Sequence, residues 1–262
     1  MKRITQILAL SMSLTTTTWA QVQVGTIQDP AIVESSGLIA SRRYPGVFWT
    51  HNDAGSAPVI FAINQRGQTL GRFPVPRVSV VDLEDIALDG NGRLYLADIG
   101  ADGRSRDRVA VYRIREPNPR GTERVLVERA WSLKFPGSRE DAESFFVLND
   151  WGYLITKRAT GGYVTIYRFS LINSANPIVL QRVTRIRVAG DVTAADISVD
   201  RQRLGLVTGK GVYIFLIRGN VAAAARAPRT FTPFEHDSTE GGTFVGRSFL
   251  VSAETRELIL FP

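Results

Sequence analysis

Apolar and polar residues alternate with a period of two along most of the chain, and helical periodicity is almost absent. Short apolar runs of this kind, separated by Gly, Asn, Asp and Pro, predict strands joined by tight turns. The expected strands fall into groups of four. In the second group they span residues 84–88, 94–98, 109–114 and 124–135, and in the third 143–148, 153–156, 164–169 and 178–188. The first group reads 37–40, 47–50, 59–63 and 69–75, and the fourth supplies 204–208 and 212–217 after its opening strand. The one expected helical piece is an alanine-rich connector over 221–227, ahead of Pro228.

Each group opens on a similar stretch. The five copies are Ser36-Gly37-Leu38-Ile39-Ala40, Glu84-Asp85-Ile86-Ala87-Leu88, Glu143-Ser144-Phe145-Phe146-Val147, Ala195-Asp196-Ile197-Ser198-Val199 and Glu240-Gly241-Gly242-Thr243-Phe244. Their first residues are spaced by 48, 59, 52 and 45 positions, a repeat that points to a ring of β-blades. The fifth group supplies only three strands, 242–245, 248–252 and 258–261, while an unassigned strand at 22–27 precedes the first group. Pairing that strand into the last blade closes the ring and removes two open sheet edges. The expected fold is all-β, a five-bladed β-propeller closed by its N-terminal strand, over residues 21–262. A six-bladed propeller is the alternative.

Composition adds a compartment. Residues 1–20 carry Lys2 and Arg3, a short apolar run, and small residues ending at Ala20, the pattern of a secretory signal peptide rather than a membrane span. The expected location is periplasmic or secreted, in a bacterium. The chain contains no cysteine, which excludes disulfides and thiolate metal sites. The formal charge of +7 is carried largely by arginine. Arg182-Val183-Thr184-Arg185-Ile186-Arg187-Val188 is a period-two strand with one arginine-rich face, the pattern of an outer edge protected by charge. Neither a nucleic-acid partner nor a membrane span is expected, and the protein is expected to be a monomer.

In a propeller the first strand of each blade lines the central channel, so Ser36, Glu84, Glu143, Ala195 and Glu240 are expected on one ring. A further acid precedes each of them: Glu34, Asp82, Asp141, Asp191 and Asp237. Carboxylates converging on a narrow axis repel one another unless they are protonated or neutralised. A hard cation with oxygen ligands resolves this, and Ca²⁺ accepts six to eight such ligands in flexible geometry. Ser36, Glu84, Glu143 and Glu240 are therefore the candidate metal ligands, with Ala195 as the gap. Loops between second and third strands are expected at the same mouth. They bring His51, Asp53, Asp98, Lys157 and Arg158 as candidate ligand-binding groups, together with Asp102 and Arg104, suited to a small anionic ligand or an extracellular polymer. Asp89-Gly90-Asn91-Gly92 resembles the start of a calcium loop but lacks the distal glutamate, and reads as a turn.

The ring pattern is similar to that of the calcium-dependent apyrases, five-bladed propellers with a tunnel calcium held by glutamates and serines, one from each blade. Ser36, Glu84, Glu143 and Glu240 match in order, and Ala195 stands where that family has serine. A second resemblance is carried by Ser35-Ser36-Gly37-Leu38, Trp49-Thr50-His51-Asn52-Asp53-Ala54-Gly55, Leu83-Glu84-Asp85-Ile86-Ala87, Ala97-Asp98-Ile99-Gly100 and Val192-Thr193-Ala194-Ala195-Asp196. These segments look like a family of exported bacterial propeller proteins of mostly unknown function. The leading expectation is an exported propeller with axial Ca²⁺, acting as a binding or structural module. The rival is a metal-dependent hydrolase of phosphoric esters or anhydrides, in which Lys157 or Arg158 holds the phosphoryl group. A glycan-binding propeller using rim aromatics such as Tyr44 or Tyr163 is the third reading.

Overall fold

The computed structural model describes residues 21–53, 58–101, 106–138, 140–158, 161–234, 236 and 238–262. Five sheets are formed, because each run of alternation pairs with the next through a tight turn. Blade 1 holds β2 (Ser35–Ala40), β3 (Val47–Asn52), β4 (Val59–Asn64) and β5 (Thr69–Pro74). Blade 2 holds β6 (Leu83–Leu88), β7 (Arg93–Asp98), β8 (Val109–Arg115) and β9 (Val127–Lys134). Blade 3 is built from β10 (Ala142–Leu148), β11 (Trp151–Thr156), β12 (Tyr163–Ser170) and β14 (Gln181–Arg187). Blade 4 consists of β15 (Val192–Ile197), β16 (Arg203–Thr208), β17 (Gly211–Leu216) and β18 (Arg229–Pro233). In blade 5, β19 (Thr239–Val245), β20 (Ser248–Ala253) and β21 (Glu257–Phe261) are completed by β1 (Val22–Thr26), which pairs antiparallel with β21. The chain is a five-bladed β-propeller closed by its N-terminal strand. The six-bladed alternative is set aside, since the described strands form five sheets.

Two details differ from expectation. The single strand expected over 178–188 is split in two. β13 (Ile178–Val179) runs parallel to β9 and extends blade 2, and only β14 belongs to blade 3. The connector after β17 is a 3₁₀ turn over Val221–Ala225, capped by the Asn220 side chain on the Ala222 N–H, and it leads into β18, a strand the alternation pattern did not reveal.

The inner strands β2, β6, β10, β15 and β19 touch in cyclic order, so the ring is complete. Each junction between blades buries its own apolar cluster. Between blades 2 and 3, Tyr95, Trp131, Phe145 and Phe169 form one aromatic cluster, with Phe145 centred 6.3 Å from Tyr95 and 6.4 Å from Phe169. Truncating such a fully buried ring to alanine costs about 3–5 kcal/mol. Phe146 and Phe215 serve the junction of blades 3 and 4, and Leu38, Phe48 and Leu250 that of blades 5 and 1. Rigidity at the axis follows from cores on both sides of every inner strand.

Candidate metal centre

Each inner strand carries a β-bulge near its start. The register slips across Ser36 in β2, Glu84 in β6, Glu143 in β10, Thr193 in β15 and Glu240 in β19. A bulge leaves one residue without a cross-strand partner and re-aims its side chain. These five residues are therefore the equivalent positions of the ring, and the fifth is Thr193, not Ala195. The ring has a hydroxyl where a gap was expected. Ala195 lies two residues further along, where its N–H faces Asp85 at 3.4 Å.

Ser36, Glu84, Glu143 and Glu240 line one cleft of about 480 Å³ at the axis, together with Asp53, Asp82 and Asp141. Asp53, Asp82 and Glu84 each offer a carboxylate oxygen, and these oxygens lie within 4.8 Å of one another. This cluster draws on Glu84 alone among the ring glutamates, together with the acid two residues ahead of it and one from the loop after β3. Glu143 is 4% exposed, and its Oε2 has no hydrogen-bond partner among the described residues. Asp141 Oδ1 is likewise buried and unpartnered. Ser36 donates its hydroxyl to the Glu84 carbonyl at 2.8 Å, and Thr193 donates to the Thr239 carbonyl at 2.6 Å. Both hydroxyls tie one blade to the next and keep oxygen lone pairs available.

Space for the Glu84 carboxylate depends on one glycine. A Cβ on Gly100 would lie 1.8 Å from Glu84 Oε1 and 2.4 Å from Asp82 Oδ2, so any other side chain at 100 displaces both acids.

Electrostatics follow from this crowding. Burial, reinforced by the charges of Glu143, Asp53 and Asp82, pushes Glu84 up to about 10. Burial raises Glu143 to about 7, against the opposing pull of Lys157. Burial and the charges of Glu143 and Glu254 raise Glu240 to about 8. Lys157 contacts Glu143 directly. Burial works against its ammonium, but Glu143, Glu84 and Asp141 outweigh that and hold its pKa above the ordinary value. Lys157 and Arg158 do not balance this set of acids, so the cleft demands protons or a further cation.

The candidate ligand-binding residues divide. Asp53, Lys157 and Arg158 line the cleft with the ring, as expected of loops between second and third strands. His51 does not reach it. It is fully buried under Gly37, whose added Cβ would lie 2.5 Å from His51 Nε2, and burial lowers its pKa to about 4. Asp98 is also buried, and its role is positional. Its Oδ1 accepts the N–H groups of Val81 and Asp82 at 3.1 and 2.8 Å, while Arg106 holds both carboxylate oxygens at 2.9 and 3.0 Å. Asn52 plays the same part in blade 1, accepting from Val33 and Glu34. Asp102, Arg104 and Asp237 lie outside the described residues.

Below the ring the channel is closed by polar side chains rather than left open. Inner strands present N–H groups to the axis that no neighbouring strand can satisfy. Asp85 takes two of them, from Phe145 at 2.8 Å and Ala195 at 3.4 Å, and also the N–H of Ile86. Asp196 accepts from Phe244 N–H and from the Thr243 hydroxyl, both at 2.9 Å, and Thr243 Oγ1 in turn accepts from Ala40 N–H at 3.0 Å. These bonds run from blade 2 through blades 3, 4 and 5 to blade 1. Neither aspartate was singled out for this role from the sequence, because a channel-plugging carboxylate has no pattern of its own.

The chain matches no protein-family model and no curated protein. Among solved structures it is similar to the PQQ-bound form of aldose sugar dehydrogenase from Streptomyces coelicolor. That match has a TM-score of 0.51 at 11% identity and covers 91% of this chain and 95% of that one. It is similar to XC5397 from Xanthomonas campestris, described as a gluconolactonase, with a TM-score of 0.47, 11% identity and 91% coverage of both chains. A chain of the mitotic checkpoint complex matches with a TM-score of 0.41 at 13% identity, this chain covering 61% of its length. The likeness to the first of these, at 11% identity, is one of fold alone.

Proposed function

We propose that this protein is an exported propeller that binds one Ca²⁺ at its axis, as a binding or structural module. The observation that carries the reading is Glu143, buried at 4% exposure with Oε2 unpartnered, within a cleft lined mostly by carboxylates, with a serine hydroxyl and only Lys157 and Arg158 as cations. An all-oxygen donor set suits a hard cation. Glu84, Glu143 and Glu240, with Asp53 and Asp82 beside them, would hold the ion, and Ser36 would complete the set. Ca²⁺ is favoured over Mg²⁺ because side chains from several blades suit a large, flexible coordination shell better than a tight octahedron. Zn²⁺ is disfavoured by a donor set without cysteine or histidine.

The bound ion would join the blades at the point where their inner strands converge. It would also turn a strongly negative cleft into one able to accept an anion beside Lys157 and Arg158. Metal analysis of protein purified without chelator tests the reading. About one calcium per chain is expected, with a rise in melting temperature on adding calcium to stripped protein. No bound calcium and no change in melting temperature would overturn it.

A second reading, hydrolysis of phosphoric esters or anhydrides, is favoured by Lys157 and Arg158 lining the same cleft as the acids. Turnover of nucleotides or phosphomonoesters with calcium, lost in a folded Glu84→Gln variant, would support it. A blank screen would remove it. Export itself is tested by the N-terminus of the mature protein, expected at Gln21 in the periplasm or medium.

A further inference from the structure

The arginine face of β14 is left unexplained by the axial site. Arg182 and Arg185 line a second depression, of about 420 Å³, together with Tyr163, Tyr167 and Thr165 on the neighbouring strand β12. Asp141 and Arg158 belong to this depression and to the axial cleft alike, so the two adjoin at blade 3.

Protection of an exposed edge would require only charge on the outermost strand. Arginines on β5 and β9 are already engaged. Arg72 on β5 pairs with Asp29 at 2.6 Å, and Arg129 on β9 donates to the Asn173 carbonyl at 2.7 Å. Among the described residues, Arg158, Arg182 and Arg185 enter no ion pair. The Arg185 guanidinium instead stands 5.1 Å from the centre of the Tyr163 ring, and Tyr163 is 40% exposed. Acceptors sit beside these cations. Glu140 accepts from the Tyr167 hydroxyl at 2.5 Å, and Asp141 Oδ1 has no partner among the described residues.

A ligand matching this wall needs carboxylates for planar guanidinium forks, hydroxyl donors for Glu140 and Asp141, and a flat apolar face for Tyr163. A phosphate chain supplies only the anions. We propose that this depression binds an acidic oligosaccharide of the uronate class, lying across β12 and β14 with one end directed toward the axial cleft. Its placement beside a cation rests on the calcium reading above.

The test uses the full chain, a defined oligogalacturonate as probe, and calorimetric binding with calcium and with chelator. Calcium binding is measured separately on the same proteins. Arg182→Ala/Arg185→Ala changes two exposed side chains, so folding is retained. It should weaken the probe by about tenfold or more while calcium binding stays unchanged. Arg120→Ala, an exposed arginine in a loop of blade 2, is the charge control and should leave binding within about twofold. Tyr163→Ala should also weaken the probe.

Absence of uronate binding to calcium-loaded protein would overturn the proposal. So would equal binding by the double variant, an equal loss in Arg120→Ala, or tighter binding of polyphosphate than of uronate. If calcium does not bind but the probe binds in chelator and is lost in the double variant, the arginine wall stands and the axial reading falls.

Discussion

Protein stripped of divalent cations should lose stability as the pH rises, the opposite of the usual behaviour of carboxylates held by salt bridges. Glu84, Glu143 and Glu240 have folded-state values raised to about 10, 7 and 8 from an ordinary 4.5, because burial and mutual repulsion disfavour their charged forms. Between the ordinary and the raised values the folded chain binds more protons than the unfolded chain. Their contribution is therefore complete below the unfolded value and is lost as the pH climbs through the folded ones. Each group in its window gives a slope of about 1.4 kcal/mol per pH unit, so three give a ceiling of about 4 between about pH 5 and about pH 7. Lys157 and entry of water into the cleft reduce this, leaving about 1–2 kcal/mol per pH unit. For a domain of this size, 1 kcal/mol moves the melting temperature by about 2–4 °C. A fall of about 10 °C across that range follows.

Scanning calorimetry of stripped protein at several pH values is the assay, repeated with calcium at millimolar excess. Calcium binds the ionised acids, so it should raise the melting temperature most at the alkaline end and flatten the dependence. A melting temperature that stays level or rises with pH in stripped protein would refute the reasoning. The carboxyls would then be solvated, and no cation would be needed to hold them together.

Three further outcomes are expected. Gly100→Ala should leave the blade cores intact but weaken calcium by about tenfold or more in calorimetric titration, since its Cβ would lie 1.8 Å from Glu84 Oε1. Asp85→Asn places an amide N–H₂ against buried backbone donors, from Phe145 and Ala195 or from Ile86. Each donor left unmet costs about 1–3 kcal/mol, to be read from urea denaturation. Lys157→Met removes the ammonium that contacts Glu143, so calcium affinity should rise, and the increase should shrink in high salt.

The ring of blades was legible because period-two alternation and turn residues recur with the blades. Ser36, Glu84, Glu143 and Glu240 were found in correct register because each begins its blade's first apolar run. Thr193 was missed for a physical reason. Asp196-Ile197 mimics Asp85-Ile86, and aligning them slips the strand by two residues, which preserves the inside–outside alternation and leaves no sign of error. Only the bulge across Thr193 reveals the true equivalence. Similarly, the unbroken apolar–polar run over 178–188 concealed a switch of partner from blade 2 to blade 3. His51 looked like mouth chemistry because it borders Asp53. The bulge in the facing strand and the close approach of Gly37 instead bury it between blades. Asp53 and Asp82 joined Glu84 in the acid cluster through loop placement, which alternation does not report.

The central claim is that the acids of several blades share one ion. A crystal structure of the protein soaked in calcium tests this most directly. One axial ion, bound by oxygens from Glu84, Glu143 and Glu240 with Lys157 displaced from Glu143, is the expected result. An axis without calcium, with Lys157 still seated on Glu143, would contradict it.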